Sequence, residues 1–82
     1  MKVNKMSKSK IMALSKMLEN GKTVEFIFSG FYYEIFESTN SGYIVNVYCD
    51  NQRDEDGYYL DKNILDGGLC TGSAKDAIGF ML

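Results

Sequence analysis

The sequence predicts an α+β fold: an N-terminal helix, a three- to four-stranded antiparallel meander and a C-terminal helix, with the helices packed on one sheet face. Three observations lead there. Apolar residues near the N-terminus recur at the 3.6-residue period of a helix. From Val24 the period drops to 2, that of a strand. A serine-started, alanine-containing segment then closes the sequence with helical spacing again. At 82 residues the chain is expected to form one domain, residues 1–82.

The first helix is expected over residues 4–20. Ile11, Leu14 and Leu18 mark its buried stripe, extended by Met6, Ala13 and Met17, with Asn4 or Ser7 as cap and Gly21 as stop. Val24, Phe26 and Phe28 alternate with Glu25, Ile27 and Ser29; Phe31, Tyr33 and Ile35 alternate with Tyr32, Glu34 and Phe36. Only Ser29 and Gly30 separate the two runs, which predicts a two-residue hairpin. Its register sets Phe28 against Phe31, Phe26 against Tyr33 and Val24 against Ile35, all on the core face. The same register sets Glu25 against Glu34 on the outer face, so either solvent screens them or something basic covers them. After the polar loop 38–42, Tyr43 to Cys49 is the third strand, with Tyr43, Val45, Val47 and Cys49 inward and Ile44, Asn46 and Tyr48 outward. Residues 50–57 read as an acidic loop, Tyr58 to Leu60 as the start of a short fourth strand, and 61–72 as an irregular packed loop rich in Gly and Asp. Ser73 caps the last helix with Asp76 as its box partner; Ala74, Ala77, Ile78 and Met81 mark the inner face.

The composition excludes much. There is no histidine, which removes His-based triads, general bases and metal sites. Cys49 and Cys70 form neither a C-x-x-C motif nor a disulfide framework, so both are expected as reduced thiols in a cytoplasmic protein. No apolar run approaches the roughly 18 residues a membrane span requires, and no signal-peptide core is present. No cofactor is expected.

The net charge of −2 is the remainder of two opposed halves. Residues 1–22 hold six lysines and one acid, +5; residues 23–82 hold three cations against ten acids, −7. Lys5, Lys8, Lys10 and Lys16 of the first helix are candidates for phosphate contact, although no arginine accompanies them; Lys8 and Lys16 lie about 80° apart around the helix axis, while Lys10 points elsewhere. The competing reading is a solvated helix face. Asp50, Asp54, Glu55, Asp56, Asp61 and Asp66 crowd the other half, with Tyr58 and Tyr59 among them. Carboxylates beside aromatic rings are suited to the basic groove of a nucleic-acid-binding protein, where they imitate phosphates and bases. An ordinary solvated loop is the alternative.

Two motifs nearly match known sites. Gly67 to Gly72 has the spacing of a phosphate loop, but Ser73 replaces its lysine, which leaves a turn and a cap. Asp54 to Gly57 resembles part of a calcium loop, but Gln52 and Asn63 occupy the positions where acids are needed. Tyr32, Phe36, Tyr48 and Tyr58 fall on the outer set or in loops; there they serve a protein interface or lie under a second helix covering that face.

A small acidic α+β domain with no catalytic signature and an acidic-aromatic segment, Asp50 to Asp61, resembles the small inhibitors encoded by phages and other mobile elements, anti-CRISPR proteins among them. The resemblance is one of overall character. It implies a non-enzymatic protein that binds a nuclease or other nucleic-acid-binding effector. The expected partner-binding residues are Asp54, Glu55, Asp56, Tyr58 and Tyr59. The alternative is a small nucleic-acid-binding regulator using Lys5, Lys8, Lys10 and Lys16. An open sheet edge or uncovered aromatic face would favour a homodimer.

Overall fold

The computed structural model describes residues 6–39 and 41–80, and it has the expected α+β order. Helix α1 (Lys8–Glu19) leads into strands β1 (Val24–Phe28), β2 (Phe31–Glu37) and β3 (Tyr43–Tyr48). A short 3-10 turn, Asp61–Asn63, precedes strand β4 (Ile64–Cys70), and helix α2 (Ala74–Gly79) follows. The four strands form one antiparallel sheet in the order β1-β2-β3-β4. Both helices pack on the same face. Leu14 and Leu18 of α1 and Ala74, Ala77 and Ile78 of α2 share a core with Val24, Phe26, Tyr33, Ile35, Val45, Val47 and Cys70. Among the described residues no helix is long and apolar enough to cross a membrane.

Helix α1 starts later than the periodicity suggests. Ser7, not Asn4, is its cap, accepting from the Lys10 amide at 3.3 Å. Asn4 and Met81 lie outside the described residues. The helix ends in a Schellman motif, with Gly21 N–H donating to Leu18 O and Lys22 N–H to Met17 O. Its buried stripe differs from the expected one: Ala13 and Met17 are exposed, and one of the two buried positions between them is polar. There Ser15 donates its hydroxyl to Ile11 O at 2.7 Å, which satisfies it locally.

The β1–β2 hairpin has the register that the alternation predicts, pair for pair. Ser29 and Gly30 both take positive φ, 55° and 83°, the geometry whose twist matches the flanking strands. Phe31, at the hairpin's end, stays exposed although its partner Phe28 is half-buried.

Two expectations fail beyond the third strand. Cys49 does not join the inner set; the register shifts between Val47 and Tyr48, the strand ends at Tyr48, and Cys49 is exposed. The fourth strand is not at Tyr58–Leu60, where only a single bridge joins Tyr59 to Arg53. It lies instead at Ile64–Cys70, inside the segment expected to be irregular. The glycines there serve pairing. Gly67 stands opposite Asn46, and a Cβ at Gly67 would come within 2.7 Å of Asn46 Oδ1. As an edge strand, β4 also lacks the buried alternation that betrays an inner strand: only Cys70 is buried.

Gly42 ties this edge to the rest of the sheet. Its φ of 80° disfavours any side chain, and a Cβ there would collide with the Cys70 carbonyl. Gly42→Ala is therefore expected to lower stability by about 2 kcal/mol or more. Urea denaturation checks this; an unchanged midpoint would show that the β3 and β4 ends separate freely.

Candidate functional site

The sheet's outer face carries the chemistry. On it Glu25 stands opposite Glu34, and Glu34 opposite Asn46; one row along lie Ile27, Tyr32 and Tyr48. Two neighbouring carboxylates repel, and one of them is buried: Glu34 is only 8% exposed. A buried charge is costly unless it is hydrogen-bonded or paired. The structure provides both remedies. Glu34 Oε1 accepts from Tyr48 Oη at 3.2 Å and from Asn46 Nδ2 at 3.3 Å. Glu25 receives a two-pronged Arg53 guanidinium, with Nη1 to Oε2 at 3.0 Å and Nη2 to Oε1 at 2.9 Å. The basic cover expected over the glutamate pair is thus Arg53.

Arg53 belongs to the acidic segment, which folds across the outer face. Asp54 shapes its turn: Oδ1 accepts from the amides of Asp56 and Tyr58 at 2.9 and 3.0 Å. The Asp54 amide donates to Tyr58 O at 2.8 Å, and Arg53 Nη1 also donates to Gly57 O at 2.9 Å. Tyr59, next along, is driven into the face. It is 6% exposed, lies 4.8 Å from the Tyr48 ring and 6.3 Å from Tyr32, and has the Arg53 guanidinium over it at 4.2 Å.

Magnitudes separate anchor from guide. Full burial of a large apolar side chain contributes roughly 1.5–3 kcal/mol, whereas an exposed ion pair is worth about 0–1 kcal/mol. Both partners of the Arg53–Glu25 pair are partly exposed. Tyr59 therefore holds the segment down, and Arg53 orients it. Hydrogen bonding to Glu25 raises the Arg53 pKa still further.

Beside this contact the segment leaves a cleft of about 400 Å³. Its walls are the rings of Phe36, Tyr48, Tyr58 and Tyr59, and its carboxylates are Glu34 and Asp61. Thr23 and Asn46 complete the lining, and none of these residues is basic.

Of the residues singled out in the sequence, Asp54, Glu55, Asp56 and Tyr58 are exposed together on the outer rim of the folded segment, with Tyr58 64% exposed. Asp54 differs from the others in spending its carboxylate on the turn. Tyr59 differs from these in being buried against Tyr48: it holds the segment down, and its ring also lines the cleft. Tyr48, assigned to the outer set, does face outward, but the segment covers it to 4% exposure. The covering element is a loop, not the helix that an uncovered face suggested. None of Glu34, Phe36, Asn46 and Asp61 is among the expected partner-binding residues, although Phe36 belongs with the outer aromatics and Asp61 with the clustered acids. The alternation placed the first three on one face, but nothing periodic told which part of the chain covers them.

Lys8, Lys10 and Lys16 are exposed on α1, and Lys5 lies outside the described residues. Lys8 and Lys75 flank Ile11 and Met12 around a hollow of about 380 Å³. Lys16 and Lys75 line an adjoining one of about 210 Å³ with the same two apolar residues. Ile11 and Met12 lie among the lysines, Ser15 and the acidic Glu19 also line the smaller hollow, and Lys10 lines neither. Among the described residues no group of three cysteines or carboxylates is placed to hold a metal ion. Comparison with family models, curated proteins and solved structures finds no match to this chain.

The Tyr48–Glu34 contact predicts the alkaline behaviour. Burial, reinforced by the Glu34 charge and hydrogen bond, pushes the Tyr48 pKa up from 10.0 to about 12. Burial raises Tyr33 and Tyr59 as well. A raised tyrosine pKa favours the neutral phenol in the folded state, so the stability it contributes is complete below pH 10 and is lost as pH rises through about 12. Tyr48→Phe is expected to cost about 1–3 kcal/mol at neutral pH, by removing one donor from Glu34, and to flatten the fall in stability above pH 10. Urea unfolding across that pH range checks it; an equally steep fall in the variant would contradict it.

Proposed function

We propose that the protein is a non-enzymatic binding protein, an inhibitor of the phage-encoded, anti-CRISPR-like kind. In this reading it blocks a nucleic-acid-handling partner in the cytoplasm through its acidic-aromatic outer face. The observation that carries the proposal is the anchoring of the acidic segment. Arg53 and Tyr59 fix the chain on both sides of Asp54 to Tyr58, so Glu55, Asp56 and Tyr58 are displayed on a segment already ordered. Pre-organisation lowers the entropy lost on binding. Fixed carboxylates beside a tyrosine suit a basic groove built for phosphates and bases, and their field speeds the encounter. The alternative, nucleic-acid binding by α1, draws support from the exposure of Lys8, Lys10 and Lys16 but has Ile11, Met12 and the acidic Glu19 among its cations.

Affinity capture from the source cell, with Glu55→Lys/Asp56→Lys/Tyr58→Ala as the control bait, tests this reading. A nuclease or other nucleic-acid-binding protein is expected on the wild-type bait, released by added DNA or RNA and lost on the variant, whose melting temperature stays within a few degrees of the parent. Equal capture on both baits would contradict it. A salt-sensitive gel shift of nucleic acid by the protein alone would move the function to α1.

A further inference from the structure

The outer-face cleft has the composition of a cation receptor. Four aromatic rings wall it, Glu34 and Asp61 supply negative charge, and no lining residue supplies a positive one. Its volume of about 400 Å³ falls at the small end of ligand pockets, which run from roughly 300 to 1,000 Å³. Glu34 is the informative member. It is more than nine-tenths buried, lines the cleft, and accepts from Tyr48 and Asn46 on Oε1, so neither of these bonds engages Oε2. A carboxylate held in low-dielectric surroundings attracts an entering cation more strongly than one in water. Tyrosine and phenylalanine rings favour a cation against their faces.

The same face already holds one guanidinium by these means. Arg53 chelates Glu25 with two nitrogens and lies over the Tyr59 ring at 4.2 Å. The cleft repeats the ingredients, a glutamate and tyrosine rings, but has no arginine in its lining. A planar guanidinium both stacks on rings and forks toward oxygens, which an ammonium does not.

We propose that this cleft is a receptor for an arginine side chain of the partner protein, with Glu34 as its counter-ion, Asp61 as a second charge at the cleft and Phe36, Tyr48 and Tyr58 as its walls. The source of the arginine rests on the reading above, that a nucleic-acid-handling protein is the partner. Such proteins present arginines in their basic grooves. The acidic rim then steers the groove, and the cleft takes one residue from it.

Nα-acetyl-arginine amide is the probe, followed by ¹H–¹⁵N amide shifts of the full chain. Saturable shifts are expected at Glu34, Asn46, Tyr48 and Asp61. The uncharged Nα-acetyl-citrulline amide should give none, and Nα-acetyl-lysine amide should bind several-fold more weakly. Glu34→Gln keeps an acceptor for Tyr48 and Asn46 but removes the charge; it should weaken the probe by on the order of tenfold. Asp61→Asn, at an exposed position that the core does not need, should weaken it measurably as well. Absence of saturable shifts, equal binding of citrulline, or retention in both variants would overturn the receptor; lysine binding as tightly as arginine would overturn its guanidinium selectivity. Glu55→Lys/Asp56→Lys should leave the probe's binding within twofold, which separates this proposal from the previous one. If the probe binds but no basic protein is captured, the cleft stands and its assigned partner falls. If a partner is captured equally by the parent and by Glu34→Gln, the partner stands and the cleft's role falls.

Discussion

Glu25 and Glu34 face each other across adjacent strands, and the architecture of the outer face follows from making that pair tolerable. The register cannot be changed to separate them. A slip by one residue would turn Val24, Phe26, Tyr33 and Ile35 out of the core. The repulsion is instead met locally. Tyr48 and Asn46 hydrogen-bond one carboxylate, and Arg53 crosses from the following loop to chelate the other. Arg53 orients the loop, Tyr59 anchors it, and a polar, mostly acidic segment becomes a covering layer.

The sheet therefore has two different faces to satisfy. The helices cover one with an aliphatic core, Leu18, Ile35, Ile78, Val24 and Val45 being almost wholly buried. The loop covers the other with a smaller aromatic contact, Tyr59 against Tyr48, and leaves an acidic cleft beside it. The second contact stabilises less and organises more. It makes the acids of the rim a fixed surface and sets a buried glutamate in the cleft wall, a combination that core packing alone does not call for.

Most of the fold was legible in the sequence because it obeys a period. The hairpin register, the face of each residue from Val24 to Val47, the Ser73–Asp76 capping box and the inner face of α2 all follow from spacing and turn chemistry. The misreadings fall where another constraint replaces the period. Strand β4 was hidden because Asn46 needs a glycine opposite it, and glycine reads as a turn. Cys49 moved outside because a register shift at Val47–Tyr48 ends the alternation one residue early. Ala13 and Met17 were placed inside because their spacing is helical, yet the narrow seam against α2 and the sheet is filled by Leu14, Ser15 and Leu18. For the site, the acids and Tyr58 were visible as a cluster. The division of labour between the adjacent Tyr58 and Tyr59 was not, because one points to solvent and the other to Tyr48 only after the loop has crossed the face. The glutamate pair was the clue: unless solvent screened it, it called for a basic cover, and Arg53 is the only cation in the sequence between Thr23 and Asp61.

The central claim is that the segment from Asn51 to Leu60 is an ordered part of the sheet's outer face. Amide hydrogen exchange tests it most directly. The Asp54 amide bonds to Tyr58 O at 2.8 Å and the Leu60 amide to Gln52 O at 3.2 Å, so both are expected to exchange at least about tenfold more slowly than in an unstructured chain. Exchange of both at unstructured rates, while β2 and β3 remain protected, would show a segment that is not held, and would contradict the account.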